Sequence, residues 1–262
     1  MAIYIISDLH LSAANYDLCV AFDNFIKSLS VNDRVVIAGD LFDFFVGIDE
    51  NDIAQNSVRD TLKEASAKGT RCYFIRGNRD FLMSPEDASY FSMLLLDDFE
   101  NIPTPNGNFL ITHGDLLCSN DTGYLRFRKI CKMGWLQSLF RALPLKLRLT
   151  IGRKIRNKSS ADKSMRLLTD RIYEVTVPTV DQYLTEYGVS GIVHGHTHVY
   201  GRFENESPVC AMRFSLGAWG STYSYFRADK NGIAIVQKNI DLLLPDAKKK
   251  KSSIHRMPPF RA

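Results

Sequence analysis

Two carboxylates, one amide and four imidazoles recur in short polar clusters: Asp8-Leu9-His10, Gly39-Asp40, Gly77-Asn78-Arg79-Asp80, His113-Gly114-Asp115 and Gly195-His196-Thr197-His198. Asp8, His10, Asp40, Asn78, His113, His196 and His198 make a mixed nitrogen and oxygen donor set, which suits Mn, Fe or Zn better than Mg or Ca. Seven ligands exceed what one open catalytic ion needs. Two ions sharing Asp40 as a bridge account for the number and leave positions for a water-derived nucleophile and for substrate oxygens. Such a pair activates water and clamps the oxygens of an in-line displacement at phosphorus, so hydrolysis of a phosphate ester is the chemistry expected.

Each cluster follows a short apolar run rich in β-branched residues, at residues 3–6, 35–38, 72–75, 109–112 and 189–193. Buried parallel strands read this way, and the polar residues then sit where strands end. Loops leaving that edge of an open α/β sheet converge on one crevice, which lets five chain segments share a site. Helical spacing of Leu18, Phe22, Phe25, Ile26 and Leu29 predicts a crossover helix over 16–30. A second is predicted over 57–68, closed by Gly69, with an acidic loop at 47–56 before it. Runs at 211–215, 223–227 and 233–237 predict antiparallel strands.

Taken in order, the blocks resemble the calcineurin-like metallophosphoesterase superfamily: Asp-x-His, Gly-Asp, Gly-Asn, His and Gly-His-x-His. Any one alone is weak; five in sequence, each after a strand, are specific. Within that superfamily, residues 39–45, 77–82 and 113–128 resemble the UDP-2,3-diacylglucosamine pyrophosphatases, hydrolases of the lipid A pathway. The resemblance implies an α/β fold, a four-layer αββα sandwich with an inserted helical cap, holding two divalent ions with manganese the expected metal. It implies Asp40, Asn78, Arg79 and His113 as catalytic residues, and attack on the α-phosphorus of a UDP-linked diacylated glucosamine lipid to give 2,3-diacylglucosamine 1-phosphate and UMP. It places Asn78 and Arg79 on phosphate, Asp121 and Tyr124 on the nucleotide and glucosamine end, and Arg156 and Ser159 on phosphate and sugar. Lys163 or Arg166 takes a further basic contact, and His196 serves both metal and substrate. Many relatives in the superfamily carry His where Arg79 stands. Arg offers a fixed bidentate charge but no proton, which fits a phosphate monoester leaving unprotonated. Phe45 stands where relatives often carry Trp, and His194 is extra to its block and expected to support ligands rather than be one. The alternative activity is hydrolysis of another nucleotide diphosphate or a phosphomonoester; a scaffold without metals has no need of the complete ligand set.

The five cysteines lack C-x-x-C pairs, so reduced thiols are expected, with Cys118 packed rather than ligating. The first residues lack a basic n-region and no apolar run reaches membrane-spanning length, so a cytoplasmic protein is expected. Charge is concentrated in one place: residues 122–171 hold fourteen Lys and Arg against Asp162 and Asp170, while the whole chain is only +4. Interleaved Trp135, Leu136, Leu139, Phe140, Leu143 and other aliphatics make basic amphipathic helices broken at Pro144. Such helices could pack their apolar side on the core. Nucleic acid is not the expected partner, since base-stacking platforms are few beyond Trp135 and Phe140. A cap resting on the anionic inner leaflet of the cytoplasmic membrane and holding acyl chains uses both halves of the composition. The expected organisation is a core of 1–121 and 172–245, a cap of 122–171 and a flexible basic tail of 246–262 that includes Lys248 and Lys251. No obligate protein partner is expected.

Overall fold

The computed structural model describes residues 1–105, 107–166 and 174–245, the side chains of 156–166 excepted. All five apolar runs are strands. β1 (Ile3–Ile6), β2 (Arg34–Ala38), β3 (Arg71–Ile75) and β4 (Met93–Leu95) lie parallel, and β10 (Thr222–Asp229) and β11 (Gly232–Asn239) extend the sheet antiparallel beyond β1. The second sheet runs β5 (Phe99–Thr104), β6 (Gly107–Thr112), β7 (Gly191–His194), β9 (Met212–Ser215), β8 (Gly201–Glu204). One expectation needs correction here: β9 is antiparallel only to β8 and runs parallel to β7. The hairpin from β8 turns the chain back, so β9 takes the direction of β7 beside it.

Period-two alternation divides the strand side chains between two interiors. Val35 and Ile37 of β2 join Phe22, Phe25, Val58 and Leu62 under α1 (Tyr16–Lys27) and α2 (Ile53–Ala67), while Val36 and Ala38 join Ile5, Ile75, Phe109, Val193, Phe214 and Phe226 between the sheets. On the far side, Val180 and Leu184 of α7 (Val177–Tyr187) cover Leu110 and Ile192. The layers are therefore helix, sheet, sheet, helix, and each fully buried large apolar side chain contributes about 1.5–3 kcal/mol. The second helix starts at Ile53, one turn ahead of expectation. Asp52, read as loop, is its cap: its carboxylate accepts from Ala54 N at 2.8 Å and Gln55 N at 3.2 Å.

After the His113 loop come α4 (Thr122–Cys131), α5 (Gly134–Ala142) and α6 (Leu145–Arg166), with the break at Pro144 as expected. Their apolar side packs only partly on the core, with Leu136 and Phe140 half-buried. No residue of α4 or α5 is fully buried, and Trp135 and Leu139 are 68 % and 60 % exposed. Cations turn inward instead. Arg128 and Lys132 pair with Asp98, Arg141 reaches Asp87 of α3 (Pro85–Tyr90) and the Leu82 carbonyl, and Arg148 donates to the Val46 carbonyl. Among the described residues no helix is long and apolar enough to cross a membrane. The tail from 246, including Lys248 to Lys251, lies outside the described residues.

Candidate active site

The strand ladder of β1 and β2 continues into the ligand loops: Asp8 N donates to Gly39 O at 3.2 Å, His10 N to Asp40 O at 3.0 Å and Leu11 N to Leu41 O at 2.9 Å. Asp8 and Asp40 are thereby fixed side by side. Gly39, at φ +83°, passes His113 so closely that a Cβ would lie 2.5 Å from its Nδ1, and a Cβ on Gly195 would overlap Asp8 Oδ2. Asp8, His10, Asp40, His196 and His198 all have positive φ, and they are five of the eight such non-glycine residues among those described. Each costs on the order of 1 kcal/mol or more, and such strain persists only where the surroundings impose it.

Two groups of donors result. Asp8, His10 and His198 offer atoms within 4.8 Å of one another, as do Asp8, Asp40 and His113. Asn78 Oδ1 stands 2.9 Å from His113 Nε2 and 2.8 Å from His196 Nδ1, adding amide and imidazole to the second group. Asp40 faces both: its Oδ2 is 3.9 Å from His10 Nδ1 and its Oδ1 is 3.6 Å from His113 Nε2. His113 Nδ1 lies 2.9 Å from the Ala38 carbonyl, so a proton there turns Nε2 toward the site.

These residues fit divalent cations. Asp8 Oδ1, 3.3 Å from His198 Nε2, and His10 Nδ1 are buried with no hydrogen-bond partner among the described residues, and the facing nitrogens of His10 and His198 lie 3.2 Å apart. Burial alone would raise the Asp8 carboxyl, but His198, His113 and His10 hold it below the usual carboxylate range, whereas burial and Asp8 push Asp40 up. Burial opposes charge on His113, yet Asp40, Asp8 and Asp115 raise it to about 9; His10, more desolvated than compensated, falls to about 3. So uneven a set of neighbours is what cations between them would level.

Arg79 closes one side. Its Nε lies 3.4 Å from Asp40 Oδ2, its Nη1 donates to Asp43 Oδ1 at 2.8 Å, and its backbone N donates to Asp40 Oδ1 at 2.9 Å. Asp121 caps α4 through Tyr124 N at 3.0 Å, and the Tyr124 ring stacks 6.2 Å from His196. Arg156, Ser159, Lys163 and Arg166 belong to the stretch of α6 whose side chains lie outside the description. His194 is buried behind the donor residues. Its Nδ1 meets Gly195 O at 2.9 Å and its Nε2 accepts from Arg213 at 3.1 Å, and burial with Arg213 lowers it to about 4. Phe45 is buried against Phe42, and Cys118 is buried with its Sγ 3.9 Å from Gly114 O.

Two buried acids next to the ligand blocks were not singled out from the sequence. Asp80 accepts from Gly77 N at 2.7 Å, Leu41 N at 2.8 Å and Asp40 N at 3.3 Å, tying two ligand loops together; burial and Asp40 raise it to about 7. Asp115 accepts from Tyr124 Oη at 2.5 Å and Arg128 Nε at 2.6 Å. Burial would raise Asp115, but Arg128 first and His113 next bring it to about 2. Each stands inside a quoted block, Gly-Asn-Arg-Asp or His-Gly-Asp, which was the signal available.

Residues 1–200 match the family described as calcineurin-like phosphoesterase, and the chain belongs to that family. It is 38% identical over 231 residues to UDP-2,3-diacylglucosamine hydrolase of Haemophilus influenzae (strain PittGG), covering 87% of this chain and 95% of that one. Proteins of the same name from Histophilus somni (strain 129Pt) and Edwardsiella ictaluri (strain 93-146) are 38% and 37% identical, over 89% and 90% of this chain and 98% and 92% of theirs. Within the phosphoesterases the chain belongs with these hydrolases.

Proposed function

We propose that this protein hydrolyses UDP-2,3-diacylglucosamine at the α-phosphorus, releasing UMP and 2,3-diacylglucosamine 1-phosphate. The observation that carries the proposal is the convergence of both donor groups on Asp40 beside Arg79, in a chain whose relatives bear that substrate in their name. Asp8, His10, Asp40 and His198 would hold one divalent ion, and Asp40, Asn78, His113 and His196 the other, with manganese the metal expected. Bound there, the ions supply an acidified water and charge to neutralise phosphoryl oxygens. Arg79, held over Asp40 by Asp43, offers its remaining N–H groups to the oxygens that gain charge. Water oxygen bonds to the α-phosphorus as the bond to the bridging oxygen breaks, and the leaving phosphate departs as an anion without a proton from Arg79. His196 serves both metal and substrate, Asp121 and Tyr124 orient the nucleotide and glucosamine end, and the α6 residues Arg156 and Ser159 reach phosphate and sugar, with Lys163 or Arg166 as a further basic contact.

Residues 122–171 act as a cap inserted between the core segments 1–121 and 172–245. The exposed Trp135, Leu139, Leu147 and Ile155 support acyl contact and peripheral association with the cytoplasmic face of the inner membrane. The test is an assay of purified protein with Mn on UDP-diacylglucosamine beside UDP-glucose and p-nitrophenyl phosphate. Selective turnover of the lipid is expected. Equal or better turnover of p-nitrophenyl phosphate would instead favour a general phosphoesterase.

A further inference from the structure

α4 joins the core by a polar stripe. Tyr124, Arg128 and Lys132 recur every fourth residue and therefore share one face of the helix, while Phe127 and Ile130 are 40 % and 50 % exposed on the others. The stripe meets two acids. Asp98, just before β5, takes Arg128 Nη2 at 3.1 Å and also Lys132; Asp115 takes Tyr124 Oη and Arg128 Nε on a single oxygen, Oδ2. Asp115 is 1 % exposed, and its Oδ1 has no hydrogen-bond partner among the described residues. Its charge is thus matched through α4, and lifting the helix away would strand a buried carboxylate, which is strongly unfavourable. Asp115 also lies in the loop that carries His113, and the ring it holds stacks on His196.

We propose that Asp115 is a positioning residue that latches α4 to the metal-bearing loop and sets the Tyr124 ring beside His196, so that the nucleotide-sugar end of the substrate meets a preformed wall. The substrate half of this rests on the function proposed above; the latch itself does not. A consequence is that α4 does not swing with substrate.

The test compares wild type with Asp115→Asn, which keeps the shape and one acceptor but loses the charge. Hydrogen–deuterium exchange in the Mn-loaded protein is expected to show α4 amides exchanging about tenfold faster or more in the variant, with β1 to β3 unchanged. The KM for UDP-diacylglucosamine should rise about tenfold with a smaller change in kcat, and Asp115→Asn with Tyr124→Phe should be no worse than Asp115→Asn alone, because the hydroxyl acts through Asp115. Unchanged α4 exchange overturns the latch. Multiplicative effects of the two substitutions, or loss of metal with equal losses on lipid and on bis-p-nitrophenyl phosphate, overturn the positioning role. A wild type inactive on the UDP-lipid defeats the substrate assignment, and the exchange measurement still decides the latch.

Discussion

Asp43 Oδ1 receives Arg79 Nη1 at 2.8 Å, and it comes from the same loop as Asp40, whose Oδ2 lies 3.4 Å from Arg79 Nε. One loop therefore supplies both a carboxylate shared by the two donor groups and the acid that orients the guanidinium above it. A planar fork fits this arrangement; a point charge on a flexible stem does not. Arg79→Lys is expected to lower kcat by about a hundredfold, the usual scale for losing one donor to transition-state charge. Steady-state kinetics on UDP-diacylglucosamine checks it, and full activity in Arg79→His would show that protonation of the leaving group is tolerated here after all.

Asp40→Ala should abolish turnover and reduce bound metal at both positions, while His10→Asn should cripple turnover and deplete one. Metal analysis of the purified variants, beside kcat, separates these outcomes. In metal-free protein Asp40→Asn should not lower the melting temperature, since it removes a buried charge that Asp8 already opposes. Wild-type rates with unchanged metal content in either active-site variant would remove Asp40 or His10 from the ligand set.

Stability of the chelated protein should depend on pH through His113. Its folded value of about 9 lies above the ordinary 6.5, so the protonated ring favours the fold, fully below 6.5 and progressively less as pH rises through 9. Melting temperature is thus expected to fall between pH 6.5 and 9, by an amount on the order of a few kcal/mol in stability. Saturating Mn should remove that trend, because ligation requires the neutral imidazole. A flat profile without metal would mean that the ring is not charged beside Asp40.

For the cap, Leu139→Glu should raise the KM for the diacylated substrate by a factor on the order of tens, since losing contact with a few methylenes costs about 0.8 kcal/mol each. Its melting temperature should hold, the side chain being 60 % exposed. Phe140→Glu, at a half-buried position, should raise the same KM and also lower the melting temperature. Equal losses on lipid and on a small soluble phosphodiester in Leu139→Glu would exclude an acyl role.

The strands and their polar ends were legible because alternation and burial leave a direct trace in residue type: Val35 to Ala38 and Val193 read as strands and are strands. The candidate donor residues were legible for the same reason, each following such a run. What the sequence hid was direction. Arg128, Arg141 and Arg148 have the residue type of a solvated face, yet they turn inward because buried acids and backbone carbonyls wait there, and those lie far away in the chain. Asp52 likewise looked like loop until its two amide partners showed it to be a cap. The positive φ values of five site residues leave only a weak mark in residue type, since Asp and His enter that region more readily than most side chains but do so at few of their positions.

His10 and His198 face each other at 3.2 Å across 188 residues of chain. At the usual pace of synthesis, His198 emerges about ten to forty seconds after His10. A half-length chain carries Asp8, His10, Asp40, Asn78 and His113 but neither His196 nor His198, so each of the two proposed ligand sets lacks one imidazole at that stage. Neither proposed ligand set is complete until the block from Gly195 to His198 has been made, so full metal loading waits on that late segment.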